Sequence, residues 1–392
     1  MRKIYYRDAV REALDEEMAR DPMVMMIGED IGVGDGTWRC SKGLYEKYGD
    51  LRMKDSPISE SGIVGMGIGM ALTGMRPIVE IMFSDFMLVA MDQIVNQMAK
   101  VCYMSGGQKN VPMVIRTTIG AGRAAAAQHS QNLNAVIAHF PGSKIVIPSD
   151  AYTAKGLLKS AIRDNNPVIV VEHRKHYSVE FDMPDDGDEN LLLPIGKSVV
   201  VHEGSDVTVV ANSFQVGQCV KVAKHLEKKK GVSVEVVDLR TLVPLDKETI
   251  IKSVKKTGRL LIVDEEQEHT YQSENAPRYH AREVAIYRGA QEHALTVLGS
   301  ATPTVESMYR AVTGAFGLCR MTERYNGRPL PPVEIVDMKR ELREGNASII
   351  SEPLLLALRE NLRLGQQSIL YLNRRGTSRM LACVECGSVP MC

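Results

Sequence analysis

A glutamate followed by a run of glycines is the first feature of this chain that could do chemistry. Glu60 opens a segment of helical pattern, residues 60–74, that is rich in glycine. A glycine inside a helix costs about 1 kcal/mol relative to alanine, and close approach of another backbone or of a ligand is its usual reason. A carboxylate in the first turn also gains from the helix dipole. The pattern fits either a carboxylate that faces a ligand or a helix-start glutamate on a packing helix.

Two other stretches of the first half could move a proton or hold an ion. His129 stands alone in residues 127–131, and a lone histidine is more often structural than catalytic. Residues 161–167 end in Asp164, two asparagines and a proline. Their oxygens could bind a cation, or they could cap the C-terminus of a helix. Both alternatives remain open for each stretch.

The last third contains acidic residues and cysteines with possible metal-binding roles. Asp264, Glu265 and Glu266 follow an apolar run at 260–263, as in strands that hold Mg²⁺ and polarise an attacking water. A structural zinc site needs four ligands, whereas the Cys-x-x-Cys pair and the last residue supply three. No phosphate-binding loop of the Gly-Lys-Ser/Thr type is present, because Gly196-Lys197-Ser198 lacks the earlier glycine. We therefore predict no ATPase activity. The three cysteines are Cys383, Cys386 and Cys392.

The elements that would position these residues alternate between helical patterns and short β-branched runs. Such alternation predicts an α/β fold with a parallel sheet covered on both faces. The predicted strands of the first part are 24–27, 77–83, 111–117, 144–147 and 168–171. The predicted helices are 6–18, 60–74, 86–98 and 152–163.

A polar, acidic break at residues 182–190 predicts a domain boundary. A second α/β unit follows, and the residue pattern changes again after about residue 266. The predicted domains are 1–182, a truncated unit at 191–266, and 267–392. The second unit has predicted strands at 198–202, 207–211, 232–237 and 260–263, and predicted helices at 215–229 and 246–256.

Composition limits the classes of function. The 48 basic and 48 acidic residues balance, which gives no overall electrostatic reason to bind nucleic acid or a membrane. No apolar run approaches the roughly 20 residues of a membrane-spanning helix, and the N-terminus lacks the apolar core of a signal peptide. The seven cysteines are odd in number and mostly scattered, as in a reducing compartment. We predict a cytoplasmic protein.

Residues 1–265 resemble the β subunit of a thiamine-diphosphate-dependent 2-oxoacid dehydrogenase of the pyruvate or acetoin type. The resemblance implies a transketolase-like pyrimidine-binding domain. It also implies oxidative decarboxylation of a 2-oxo acid, with acyl transfer to a lipoyl group. The segments that carry it are Ile58-Ser59-Glu60, the glycine-rich helix, residues 76–86 and Met91-Asp92-Gln93-Ile94.

The resemblance assigns roles to individual residues. The glutamate matching Glu60 hydrogen-bonds N1′ of the cofactor's aminopyrimidine and activates the cofactor. Phe86 matches an aromatic that stacks on the pyrimidine, and Ile58 matches an apolar contact, although both could simply pack in the core. His129 would lie at the mouth of the site, near the substrate or the incoming lipoyl group.

The resemblance also implies ions and partners. A monovalent cation, K⁺ in some relatives, would be held at Met113, Ala161, Ile162, Asp164 and Asn166. An α subunit would supply most contacts to the diphosphate and to Mg²⁺. A second β subunit and a lipoyl acyltransferase core would complete the assembly. The chain alone is therefore expected to be inactive.

Residues 264–392 resemble instead a fragment of the primosomal replication-restart helicase. In this reading the three cysteines are the first ligands of a Zn²⁺ site, and Gln267 replaces the histidine that usually ends the Asp-Glu-Glu-His signature. The chain would then be a composite. The alternatives to a functional β subunit are a helicase-derived, DNA-associated fragment and a fusion without function. The segments that carry the resemblance are 277–283, 298–303, 372–376 and the cysteines.

Overall fold

The computed structural model describes residues 1–120, 127–184, 190–263, 305–319, 336–343 and 350–364. The chain forms two compact units, residues 1–313 and 314–392. Among the described residues, no helix combines the length and the apolar character needed to cross a bilayer.

A seven-stranded sheet forms the centre of the first unit. Its strand order is β12-β6-β7-β5-β4-β2-β3, and only β12, at one edge, pairs antiparallel with its neighbour. The central strands are continuous runs of buried residues, as expected for strands with both faces covered. The strands are β2 (Val24–Gly28), β3 (Met53–Asp55), β4 (Arg76–Ile81), β5 (Val114–Ile119), β6 (Lys144–Val146), β7 (Val168–His173) and β12 (Thr241–Val243).

Helices cover both faces of this sheet, which confirms the predicted α/β architecture. Successive strand residues point to opposite faces, so Val170 joins the core beneath α1 and α7, and Val171 joins the core beneath α3. The helices of this region are α1 (Tyr6–Arg20), α2 (Leu44–Tyr48), α3 (Glu60–Leu72), α4 (Ser84–Met87), α5 (Val101–Met104), α6 (Asn134–His139) and α7 (Ala151–Arg163).

The predicted helix at 86–98 lies within a continuous helical segment, 84–98, whose hydrogen-bond pattern changes along its length. The segment begins as α4, passes through a 3₁₀ turn at Leu88–Ala90 and ends in a π-helical stretch at Gln93–Met98. The hydroxyl of Ser61 donates to the carbonyl of Val89 at 2.9 Å. A side chain that occupies a carbonyl of the helical ladder is a common cause of such irregularities.

A second, four-stranded sheet has the order β13-β10-β11-β9, in which β9 alone is antiparallel. Strand β12 follows β11 but joins the first sheet, where Thr241 pairs with Val146. Strand β1 (Arg2–Tyr5) pairs with β8 (Glu180–Met183) in a separate ribbon. The elements of this region are β9 (Val199–His202), β10 (Val207–Ala211), α8 (Ser213–Lys230), β11 (Val234–Asp238), α9 (Lys247–Thr257) and β13 (Leu260–Ile262).

Three helices are described beyond residue 304. They are α10 (Val305–Val312), which belongs to the first unit, and α11 (Met338–Arg343) and α12 (Glu352–Arg363) in the second.

Candidate functional site

The site is built at the carboxyl edge of the large sheet, where the parallel strands end together. Glu29 follows β2, Glu60 follows β3, Phe83 follows β4 and His173 ends β7. The chain runs from β2 to β3 on one side and then returns to β4 on the other. A change of direction of this kind opens a crevice at the carboxyl ends of the strands, which is where open α/β sheets bind ligands.

Glu60 is the first residue of α3, and its side chain is buried, with 7% exposed. No described residue forms a hydrogen bond or an ion pair with its carboxylate. The pKa of nearby Glu29 is raised, mainly by burial and secondly by the negative charge of Glu60. Because no described protein group donates to them, the acceptor oxygens of Glu60 are available to a donor supplied by a bound molecule.

The glycines of α3 have different surroundings. A Cβ at Gly67 would lie 2.6 Å from Cγ2 of Val79 on β4, so this glycine allows the helix to pack closely on the sheet. A Cβ at Gly69 would meet nothing within 4 Å. Close packing therefore explains why a glycine is needed at position 67. No contact within the described chain requires a glycine at position 69.

An aromatic cluster of Phe83, Phe86 and His129 forms one wall of the crevice. The ring of His129 lies edge-on to Phe83 at 4.8 Å and to Phe86 at 5.1 Å between centroids. Its Nδ1 is buried and has no hydrogen-bond partner among the described residues. The structure thus brings together two predicted site residues, 43 positions apart in sequence, and adds Phe83. By contrast, Ile58 is 82% exposed, so the core-packing alternative for it is wrong.

A buried charge cluster of Glu80, Arg116 and Glu172 lies within the sheet behind the site. Arg116 donates to Oε2 of Glu80 at 2.6 Å and to both carboxylate oxygens of Glu172 at 2.9 and 3.0 Å. Burial raises the pKa of Glu80, and the charge of Arg116 offsets part of this shift. Tyr177 donates to Glu172 at 2.6 Å and stacks on Trp38, which lies 5.8 Å from Phe83. The cluster therefore supports the aromatic wall.

Sequence reasoning missed this cluster and the residues around it. A signal was present, since Glu80 and Arg116 lie inside strand-like runs and Glu172 ends another. Periodicity alone did not show that they meet on adjacent strands. Two histidines at the same edge were also missed. Burial lowers the pKa of His173 to about 4 and that of His176 to about 3, so both are neutral at pH 7.

The candidate cation residues gather at the C-terminus of α7, but protein groups also occupy them. The carbonyls of Ala161 and Ile162 accept from the backbone of Asp164 and from Arg76, at 3.2 and 3.0 Å. Lys144 pairs with Asp164 at 2.5 Å. Burial alone would raise the pKa of the Asp164 carboxyl, but the bond from Lys144 holds that pKa below its usual value. Asn166 donates to the same carboxylate, and the Met113 carbonyl accepts from Val168 at 3.0 Å. The cation site remains a prediction.

Cys383, Cys386 and Cys392 lie outside the described residues, as do the acidic residues at 264–266 and the helicase-like segments at 277–283, 298–303 and 372–376. Within the described part of the chain, no three histidine, cysteine or acidic side chains are grouped so as to hold a metal ion.

Two family descriptions match the chain: "Transketolase, pyrimidine binding domain" over residues 2–179 and "Transketolase, C-terminal domain" over residues 196–305. The β subunit of acetoin:2,6-dichlorophenolindophenol oxidoreductase from Cupriavidus necator is 48% identical over 274 residues, or 67% of this chain and 80% of the relative. The chain belongs to the family of 2-oxoacid dehydrogenase E1 β subunits. Membership implies the use of thiamine diphosphate and confirms the function predicted from residues 1–265.

Two further E1 β subunits are similar to this chain at nearly the same level of identity. The pyruvate dehydrogenase E1 component subunit beta of Homo sapiens is 46% identical over 67% of this chain and 73% of its own length. The 2-oxoisovalerate dehydrogenase subunit beta of Bacillus subtilis is 45% identical over 67% and 79%. A solved structure described as "Split gene transketolase, inactive beta4 tetramer" superposes with a TM-score of 0.58. It is 22% identical and covers 79% of this chain and 93% of its own, which shows the fold alone.

The family match bears on the end of the second domain. It extends to residue 305, past the boundary predicted at 266, and therefore overlaps the segment whose motifs resemble a helicase. The boundary and the helicase resemblance both remain predictions.

Proposed function

We propose that this E1 β subunit takes part in the oxidative decarboxylation of pyruvate or a closely related 2-oxo acid and in acyl transfer to a lipoyl group. The observation that carries the proposal is Glu60, a largely buried residue at the carboxyl edge of the sheet whose carboxylate has no partner in the described chain. The related proteins act, by their names, on pyruvate, 2-oxoisovalerate or acetoin.

The described residues fit the aminopyrimidine end of thiamine diphosphate. When bound, the cofactor supplies the nucleophilic carbon and the electron sink for decarboxylation. Glu60 would hold N1′ through a hydrogen bond that its buried carboxylate otherwise lacks. Phe86 offers a half-buried aromatic face, and Ile58 an exposed apolar side chain beside Glu60.

The chain's own side chains would divide the remaining work. Glu60 holds a proton at N1′, and general acid–base help of this kind is typically worth ~10²–10⁴ in rate. Phe83 and Phe86 exclude water from one wall. His129, held edge-on between their rings, would exchange a proton with the substrate or the lipoyl group at the mouth of the site.

Several elements of the assembly are proposals of the same kind. An α subunit would supply the diphosphate and Mg²⁺ contacts, and a second β subunit and an acyltransferase core would complete the complex. K⁺ would bind at the end of α7, and Zn²⁺ at the C-terminal cysteines. We further propose a cytoplasmic location, as expected from the scattered cysteines.

The test is to combine the full chain with an α subunit from a related enzyme and to follow 2-oxoacid-dependent reduction of an artificial acceptor. Replacing Glu60 by Gln keeps the shape and removes the charge, and we expect kcat to fall ~10²–10⁴-fold. Glu227→Gln, on helix α8, is the control and should retain the wild-type rate. Full activity of the Glu60→Gln complex would exclude the role assigned to this carboxylate.

The second candidate function concerns the tail, residues 267–392, whose motifs resemble a helicase. The alignments with the E1 β relatives cover 67% of the chain, so much of this tail lies outside them. A DNA-binding tail would show an affinity that falls steeply with salt. We expect no binding, because the charges of the chain balance. A mobility shift of full-length protein with DNA at low salt would reverse that expectation. A fusion without function predicts instead that the full chain fails to pair with any α subunit.

A further inference from the structure

The short segment 127–131, here called the histidine turn, places His129 in the crevice. It contains a single 3₁₀ turn, Ala127–His129. So short an element has few internal hydrogen bonds and cannot fix its own orientation. What holds the histidine turn must therefore come from other parts of the fold.

Asp85 holds one end of the histidine turn. Its side chain is 7% exposed and lies at the start of α4, next to Phe86. Oδ1 of Asp85 accepts from the backbone N–H of Gln131 at 3.3 Å and from Nε2 of the same residue at 2.9 Å. The adjacent Ser84 hydroxyl donates to the carbonyl of Gln131 at 3.2 Å. Gln131 is thus bound through its backbone N–H, its carbonyl and its side chain.

Arg174 holds the two residues that precede Gln131. It follows β7 directly and is 1% exposed. Its Nη1 donates to the carbonyl of His129 at 2.8 Å, and its Nη2 donates to Oγ of Ser130 at 3.2 Å. A guanidinium presents its donors in a fixed planar arrangement, so these two bonds fix the peptide that carries the histidine.

The two charged groups sit on different strand connections and act on adjacent residues of one turn, Arg174 on His129 and Ser130 and Asp85 on Gln131. Burial of a charge is costly unless it is well paired, yet Oδ2 of Asp85 is buried without a hydrogen-bond partner in the described chain. A neutral side chain would cost less if the only requirement were packing. What the carboxylate adds is a strong acceptor aimed at residue 131.

We propose that Asp85 and Arg174 are positioning residues that clamp the histidine turn and thereby hold His129 between Phe83 and Phe86. The proposal rests on the proposed function, since it concerns how His129 is presented to the substrate or the lipoyl group. Misplacement of a reacting group by about 1 Å can cost ~10²-fold in rate. Loosening the clamp should therefore lower kcat while leaving the binding of the cofactor at Glu60 intact.

The experiment exchanges the two partners at one end of the clamp. Gln131→Glu sets a second carboxylate against Asp85, and Asp85→Asn with Gln131→Glu restores a donor–acceptor pair with reversed roles. Because Gln131 is exposed, its replacement should fold. Gln131→Met removes the side-chain donor without adding charge and serves as a second variant. Thr153→Ala, in the buried capping box of α7, controls for a general loss of stability.

Two measurements are made on full-length protein. Hydrogen exchange followed by mass spectrometry reports the amides of residues 127–133 in the β chain. Steady-state kinetics with an α subunit separate kcat from the KM for thiamine diphosphate. Gln131→Glu should raise exchange in 127–133 ~10-fold, as for a lost hydrogen bond to a charged group. It should also lower kcat ~10–10²-fold with little change in KM, and the double variant should recover most of both losses.

The outcomes separate the two proposals. Unchanged exchange at 127–133 in both Gln131 variants, or a double variant no better than Gln131→Glu, would overturn the clamp. An equal loss of kcat in Thr153→Ala would do the same, because it would show an effect of stability alone. An inactive wild-type complex would instead contradict the proposed function, and the exchange data would still decide whether the clamp exists.

Discussion

Replacing Arg116 by Met tests how strongly the buried charge cluster supports the site. Arg116 is 2% exposed, and its partners Glu80 and Glu172 are 6% and 1% exposed. The substitution removes three hydrogen bonds and leaves two carboxylates that face each other without a cation. Breaking a buried ion pair by removing one partner typically costs ~3–5 kcal/mol. The total stability of a domain is only ~5–15 kcal/mol, so the variant should be markedly easier to unfold.

The loss should depend on pH in a defined direction. In the variant, the two unpaired carboxylates bind protons more tightly in the folded state than in the unfolded state. The stability deficit is therefore largest at neutral pH and shrinks as the pH falls and the carboxylates become neutral. In the wild-type protein the charge of Arg116 offsets part of the upward pKa shift of Glu80, so its own recovery over the same range should be smaller.

Urea unfolding followed by tryptophan fluorescence is a direct assay. Trp38 is the single tryptophan of the chain and stacks on Tyr177, the phenol that binds Glu172. Arg363→Met, which removes an exposed pair with Glu360, should leave the transition unchanged. A deficit below ~1 kcal/mol for Arg116→Met, or one that is equal at pH 7.5 and pH 5, would refute the reasoning, because a buried pair should exceed a surface pair.

Further predictions concern α3 and the contact between the two sheets. Gly67→Ala should destabilise the protein by ~1–3 kcal/mol, because the new Cβ would lie 2.6 Å from Val79. Gly69→Ala places its Cβ in open space and should stabilise the protein by up to ~1 kcal/mol. Equal shifts of the melting temperature in the two variants would contradict the packing argument. Burial raises the pKa of Asp238 to about 6, despite the hydrogen bond from Ser149. The folded state therefore binds this proton more tightly, and the carboxyl costs stability as pH rises from ~4 to ~6, by up to ~3 kcal/mol. Asp238→Asn should remove that cost, so its stability relative to wild type should rise across this range; a constant difference in denaturation measurements would exclude it.

Much of the local structure was predictable from the sequence. Helix α1 followed from apolar residues at helical spacing, and β2, β7 and β10 followed from continuous β-branched runs. The start of α3 at Glu60 was also predictable, because a glycine-rich helical segment with an acidic first turn has a recognisable beginning. The change of helix type within 84–98 was not predictable, since it lies where the hydroxyl of Ser61, a residue of another helix, donates to the carbonyl of Val89.

The sequence by itself determined the α/β class, the order of the elements and the presence of Glu60 at a helix start, because these depend on residues close together in the chain. The match of its motifs to a family gave roles to Glu60, Phe86 and His129. Only the tertiary structure decided which residues meet. His129 reaches Phe86 because β4 and β5 are neighbours whose carboxyl ends lie at one edge, and Arg116 finds Glu80 and Glu172 on the two adjacent strands. Strand order is set by the packing of whole helices on a sheet, and no local periodicity encodes it.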